Sequence, residues 1–163
     1  MKRIARFEKV SVEQWRQGYS GADADSVYDR IALPKRATSG SAGYDFFAPF
    51  DIELKAGETV KVPTGVRVRI EDGWLLSLYP RSGLGFKFRL QLDNTVGIID
   101  SDYYFSDNEG HIFAKITNDS KEGKTVTIAS GTGFMQGIFT EFGITEDDDA
   151  DGVRNGGFGS TTK

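Results

Sequence analysis

"VRVRI", residues 66–70, is the stretch that decides the fold. Val66, Val68 and Ile70 alternate with Arg67 and Arg69, so one face of an extended segment is apolar and the other is charged. Successive side chains of a strand point to opposite faces, and this period of two therefore predicts a half-buried strand. Further strand-like stretches flank it: Thr59–Val62, Trp74–Tyr79, Ile112–Thr117, Thr125–Ala129 and Phe134–Phe142. Turn signals separate them, "KAGE" at 55–58, "EDGW" at 71–74, "DNEG" at 107–110 and "KEGK" at 121–124. Many short strands at this spacing predict an all-β sandwich or barrel. The chain contains no internal repeat.

One helix is predicted. Ser11 precedes Gln14 by three residues, the spacing of a capping box, which places a short helix over Val12–Gly18. Residues 18–29 (GYSGADADSVYD) read as a loop, so 14–30 is a loop-and-helix insertion within a single domain spanning 1–145. From Glu146 the character changes to "EDDDADG" and then "VRNGGFGSTTK", which can bury little; 146–163 is expected to be a mobile tail. The run Glu146–Asp149 lacks the spacing of a calcium loop and reads as solvated linker.

Composition narrows the function. A chain of 163 residues with 38% hydrophobic and 27% charged residues suits one globular domain with a real core. The absence of cysteine excludes a disulfide scaffold and thiolate metal sites, and fits a reducing, cytoplasmic setting. A single histidine, His111, excludes a multi-histidine centre, and it reads as a strand residue rather than a catalyst. Net charge is −4 with basic residues dispersed, which disfavours nucleic acid as a partner. No apolar run approaches a membrane span, and the N-terminus carries charges where a signal peptide needs an apolar stretch.

Five stretches carry polar groups suited to chemistry. "VGIIDSDYYF" (96–105) sets Asp100 directly after an apolar run read as buried strand, with Asp102, Tyr103 and Tyr104 behind it. "GSAGYDFFAP" (40–49) ends a small-residue turn in Asp45. "PRSGLG" (80–85) combines Arg81, Ser82 and Gly83, a guanidinium, a hydroxyl and open backbone suited to phosphate oxygens. "GTGFMQGIF" (131–139) places the Gln136 amide among apolar residues, where it needs partners. "RNGGFGSTTK" (154–163) offers Arg154, Ser160, Thr161 and a lone Phe158. Each has an ordinary reading when taken alone: solvated strand ends, a plain turn, an inter-strand bridge and disorder.

Together, in this order, they resemble the five motifs of the trimeric dUTPase family, the deoxyuridine triphosphate nucleotidohydrolases: SAGYDF (41–46), PRSGLG (80–85), NTVGIIDSDY (94–103), GTGFMQ (131–136) and RNGGFGST (154–161). The resemblance covers about Ile31 to Thr161. The chain departs from the family at Tyr104 and Phe105, where a basic or polar residue and glycine are usual, and at Gly133, where arginine is common.

The resemblance implies a jelly-roll-like β-barrel, assembled as a homotrimer whose active sites are shared between subunits, hydrolysing dUTP to dUMP and pyrophosphate. Asp100 would be the general base acting on water. Asp45 would act through waters around Mg²⁺, which the substrate phosphates would hold. Arg81, Ser82, Gly83 and Gln136 resemble the phosphate-binding set, and Asn94 and Gly97 lie in the hairpin that would read uracil. Tyr103 would pack on the deoxyribose. From the tail, Phe158 would stack on uracil while Arg154, Gly159, Ser160 and Thr161 close over the phosphates as a lid. Two other readings share the fold: a dCTP deaminase, and a non-catalytic barrel that only binds.

Overall fold

The structure, a computed structural model, describes residues 1–156. The strands are β1 (Ala5–Lys9), β2 (Tyr44–Phe47), β3 (Ile52–Leu54), β4 (Thr59–Pro63), β5 (Val66–Ile70), β6 (Trp74–Pro80), β7 (Leu90–Leu92), β8 (Gly97–Ile99), β9 (Phe113–Asn118), β10 (Val126–Ile128) and β11 (Gly133–Glu141). All pair antiparallel, in the sheets β1-β5, β10-β3, β2-β11-β6-β8 and β4-β9-β7. This is the all-β architecture expected from the short, turn-punctuated strands, of the jelly-roll type that the resemblance implies. On β5, Val66, Val68 and Ile70 are buried while Arg69 faces out, as the alternation requires. Phe46, Leu76, Phe134 and Met135 anchor the core from the largest sheet. Each such burial is worth roughly 1.5–3 kcal/mol.

Three helices complete the chain: α1 (Val12–Gly18), α2 (Ala24–Arg30) and α3 (Ser82–Phe88). At the start of α1, Ser11 Oγ accepts from Gln14 N at 3.1 Å, half of the expected capping box. The other half comes from far away: Ser11 N and Oγ both donate to Glu109, at 2.8 and 2.5 Å. Trp15 is fully buried and donates its Nε1–H to Ala24 O at 2.8 Å, which ties α1 to α2.

Helix α2 overturns the expectation of a loop over 18–29. Seven residues have too little intrinsic stability to declare themselves in sequence. Val27 and Ile31, one helical turn apart, are buried, and this packing makes the helix. Strand β1 was also not anticipated; its ladder with β5, from Ala5↔Ile70 to Lys9↔Val66, supplies the order that its charged sequence does not advertise. His111 is buried but precedes β9 rather than lying in a strand. The apolar run at 96–99 is only half-buried: β8 is the last strand of its sheet, and Ile98 points outward between buried Gly97 and Ile99. Among the described residues, no helix is long and apolar enough to cross a membrane.

Candidate active site

Asp100 follows β8 and caps a 3₁₀ turn over Ser101–Phe105. Its carboxylate is not buried unpaired. Its side chain is 43% exposed, and Arg154 Nη2 lies 2.6 Å from its Oδ2. Arg154 Nε also donates to Asp102 Oδ1 at 2.8 Å, so one guanidinium spans both acids. Tyr103, in the same turn, is buried and doubly held: its hydroxyl donates to His111 O at 2.8 Å and accepts from Asn108 Nδ2 at 2.8 Å. Burial raises the Tyr103 phenol above its ordinary value, so it stays protonated at neutral pH.

Asp100, Tyr103 and Arg154 share a cavity of about 200 Å³ with Asn94, Gly97 and Phe113. Asn94 stands in the tight turn that joins β7 to β8; the two strands lie in different sheets, β7 beside β9 and β8 beside β6, so the expected hairpin is a sheet-to-sheet turn. Thr95, next to it, has φ 67°, a costly conformation for a β-branched residue. Two short backbone bonds enforce it, Thr95 N to Leu92 O at 2.9 Å and Val96 N to Asn94 O at 2.7 Å.

A second group lies elsewhere. Arg81 caps α3, and its Nε is 3.3 Å from Asp45 Oδ1 on β2 while its Nη1 donates to Gly133 O at 3.3 Å. Gln136 on β11 sits in register between Asp45 and Tyr79 and donates to Pro80 O at 3.4 Å. Ser82 and Gly83 open α3, so PRSGLG is a strand-to-helix junction and not a bare turn. Two glycines that the sequence reading left without a role shape this group. A Cβ on Gly43 would lie 2.5 Å from Gln136 Oε1, and one on Gly133 would lie 2.8 Å from Arg81 Nη1. Glycine at 133 is therefore the space that Arg81 occupies.

The two groups do not meet within one chain. Asp45 and Asp100 are three strand positions and about four residues apart along the sheet register. With strands about 4.8 Å apart and a rise of about 3.3 Å per residue, that is on the order of 20 Å. Arg154 behaves otherwise. The resemblance implies that the tail serves another subunit's Asp100, whereas here Arg154 lies on the Asp100 of its own chain, because residues 151–156 fold back along the 3₁₀ turn and Asp107 N donates to Asn155 O at 3.4 Å. Phe158, Gly159, Ser160 and Thr161 lie outside the described residues.

The order and placement of these motifs match one family model, that for dUTPase, over residues 29–162. The chain belongs to the dUTPase family. It is 41% identical over 134 residues to the deoxyuridine 5'-triphosphate nucleotidohydrolase of Lactococcus lactis, covering 80% of this chain and 88% of that protein. The crystal structure of the dUTPase from Streptococcus mutans superposes with a TM-score of 0.66 at 37% identity, over 86% of this chain and 98% of the other. A dUTPase mutant from phage phi11 of S. aureus, described with a coordinated structural Mg(II) ion, shares the fold at 20% identity and TM-score 0.65, over 92% of this chain and 98% of the other. Against this dUTPase frame, the departures at Tyr104 and Gly133 acquire partners: Tyr104 packs under Arg67, and Gly133 lies under Arg81.

Proposed function

We infer that the protein hydrolyses dUTP to dUMP and pyrophosphate. The observation that carries this is Asp100, a half-exposed carboxylate fixed between β8 and a 3₁₀ turn beside the small cavity that Tyr103, Asn94 and Gly97 line. Asp100 takes a proton from a water molecule as its oxygen attacks the α-phosphorus. The bond from that phosphorus to the bridging oxygen breaks, and pyrophosphate leaves with the electron pair. Arg154, held by two carboxylates in the free chain, transfers to the substrate's phosphates and thereby frees Asp100 to act as a base. Residues 146–163 form the lid that makes this transfer.

Uracil is read by the backbone of the β7–β8 turn carrying Asn94 and Gly97, where the tight tip leaves no room for a 5-methyl group. The Tyr103 ring walls off the 2′ position of the sugar, and its two hydrogen bonds keep it there. Arg81, Ser82, Gly83 and Gln136 bind the phosphates, positioned by Asp45 and Gly43. The separation of this group from Asp100 supports a site completed by a neighbouring copy, within a homotrimer.

The residues suit Mg²⁺. Asp45 is a hard oxygen donor, and among the described residues no group of three His, Cys, Asp or Glu side chains could hold a metal alone. The ion would be held mainly by the substrate's phosphates and by water, with Asp45 reaching it through that water. When bound, it offsets phosphate charge and makes pyrophosphate a better leaving group.

Pyrophosphate release from dUTP, dCTP, dTTP and UTP tests the reading. Release from dUTP far above the other three is expected. Ammonia from dCTP, or no turnover at all, would replace it with a deaminase or a binding module.

A further inference from the structure

The family match begins at residue 29, yet the chain before it is fastened to the turn that carries Asp100. Tyr104 is the point of attachment. The Arg67 guanidinium lies 3.6 Å from the centre of the Tyr104 ring, and its Nη2 donates to Tyr104 O at 3.0 Å. On the other side, Tyr104 Oη donates to Glu8 Oε2 on β1 at 2.7 Å. That bond holds the Glu8 carboxyl below its usual range and raises the Tyr104 phenol. Arg67 Nη1 is also 3.8 Å from Glu109 Oε2, and Glu109 in turn holds Ser11 at the start of α1. Contacts thus run from Glu8 and Ser11 to the backbone beside Tyr103.

This arrangement adds little to the core. Strand β5 is already held by its ladder with β1 and by three buried apolar side chains. The contacts instead fix a carbonyl of the 3₁₀ turn sideways, where the turn's own bonds, Tyr103 N to Asp100 O at 3.2 Å and Ser106 N to Tyr103 O at 3.1 Å, run along it. The planar guanidinium of arginine stacks on a ring and donates from the same plane, which the ammonium of lysine cannot do. Tyr104 itself stands where the family usually has a basic or polar residue, so the device belongs to this chain's pairing of Tyr104 with Arg67 and Glu8.

We propose that β1 and Arg67 form a clamp on the catalytic turn, in which Glu8, Arg67 and Tyr104 are positioning residues for Asp100 and Tyr103. The clamp rests on the reading of Asp100 as the base and Tyr103 as the sugar wall. It gives the segment ahead of the family match a part in turnover and in sugar selectivity.

The test compares Arg67→Lys, Tyr104→Phe and Glu8→Gln with the unaltered protein, measuring kcat and KM for dUTP and UTP well below the Tm of each. Arg67→Lys is expected to lower kcat by about tenfold with little change in KM, the scale of a small misplacement of a reacting group. Its preference for dUTP over UTP should narrow. Tyr104→Phe deletes the bond to Glu8 and should lower kcat by a few-fold; Glu8→Gln keeps a neutral acceptor, so it should lower kcat less, and the double variant should go no further than Tyr104→Phe, because both act on one shared bond. Amide hydrogen exchange over Ser101–Phe105 should quicken in all of them. Lower Tm with unchanged kcat and unchanged dUTP preference would overturn the clamp. If Arg67→Lys does not fold, Tyr104→Phe decides, since it deletes a polar contact without opening a cavity. Failure of the unaltered protein to hydrolyse dUTP would overturn the reading of Asp100 instead; an active parent with unaffected variants sinks the clamp alone.

Discussion

Arg154 and Asp100 are in close contact beside the cavity lined by Tyr103 and Asn94, Nη2 to Oδ2 at 2.6 Å, and Asp102 shares the same guanidinium at 2.8 Å. The base of the proposed reaction is therefore covered by a cation until something more anionic draws the cation away. A triphosphate is such a group. Asp100→Asn should leave dUTP binding nearly intact while slowing turnover by about 10²–10⁴-fold, the usual worth of a positioned base. Single-turnover kinetics and a binding isotherm on the same sample check it. Turnover within a few-fold of the parent would remove Asp100 from this role.

Tyr103 separates ring from hydroxyl. Tyr103→Ala opens the wall beside the sugar and should cost roughly 1–3 kcal/mol of discrimination between dUTP and UTP. Tyr103→Phe keeps the ring but strands His111 O and Asn108, so it should lower stability by about 1–2 kcal/mol with selectivity unchanged. Relative kcat/KM values and denaturant midpoints distinguish the two. Equal selectivity losses in both variants would contradict the steric role.

Gly133→Ala puts a methyl group 2.8 Å from where Arg81 Nη1 now lies, against a strand that cannot retreat. Arg81 must leave both Gly133 O and Asp45. The expected result is a fall in kcat/KM of about tenfold or more, because a phosphate ligand is misplaced. Stability should change little, Arg81 being an exposed pair whose loss costs the fold at most about 1 kcal/mol. An unchanged kcat/KM would show that Arg81 is not needed where it stands.

His111 makes the protein acid-sensitive. Burial pushes its imidazole down from 6.5 to about 4, a shift that nearby Glu109 opposes and Lys61 reinforces. The neutral ring accepts from Gly65 N at 2.9 Å and packs on Phe113. Because the folded value is the lower one, the unfolded chain binds the extra proton first. This contribution is fully present above about pH 6.5 and is lost as pH falls toward 4, amounting to about 3 kcal/mol across that window. Denaturant melts at pH 7, 5.5 and 4.5 should trace it. His111→Gln keeps an acceptor near Gly65 and should flatten the slope; an equally steep slope in that variant would assign the acid sensitivity to other groups.

The separation of Asp45 and Arg81 from Asp100 makes the shared site testable by mixing. In the proposed homotrimer, the Asp100→Asn and Arg81→Ala proteins should each be nearly inactive. Refolded together at equal amounts, about a quarter of sites would draw an intact Asp100 from one chain and an intact Arg81 from another. Activity should rise above both parents. Mixed trimers confirmed by mass, with activity still at the parental floor, would place the whole site in one chain.

Period-two alternation at 66–70 and the glycine turns were enough to specify the all-β class and seven of the eleven strands among the described residues, because both signals are local: they depend on neighbouring side chains and on backbone freedom at a turn; the short strands β2, β3 and β7 carry too few residues to show a period. The order of five short motifs was likewise legible, and with it the family and its reaction. Local pattern could not specify β1 or α2, whose stability comes from partners beyond their own segments, as with Phe7↔Val68 for β1 and the bonds from Trp15 to Ala24 and from Tyr28 to Val10 for α2. Nor could it show which motif residues meet. Sheet order places Asp45, Arg81 and Gln136 at one side and Asp100, Tyr103 and Asn94 at the other, and folding back of the tail puts Arg154 on Asp100. The sequence by itself determined the all-β class, the family and the chemistry available. Only the tertiary structure decided the two half-sites, the Arg81 niche over Gly133 and the Arg67–Tyr104–Glu8 contacts, because each depends on residues distant in sequence arriving within a few ångströms of one another.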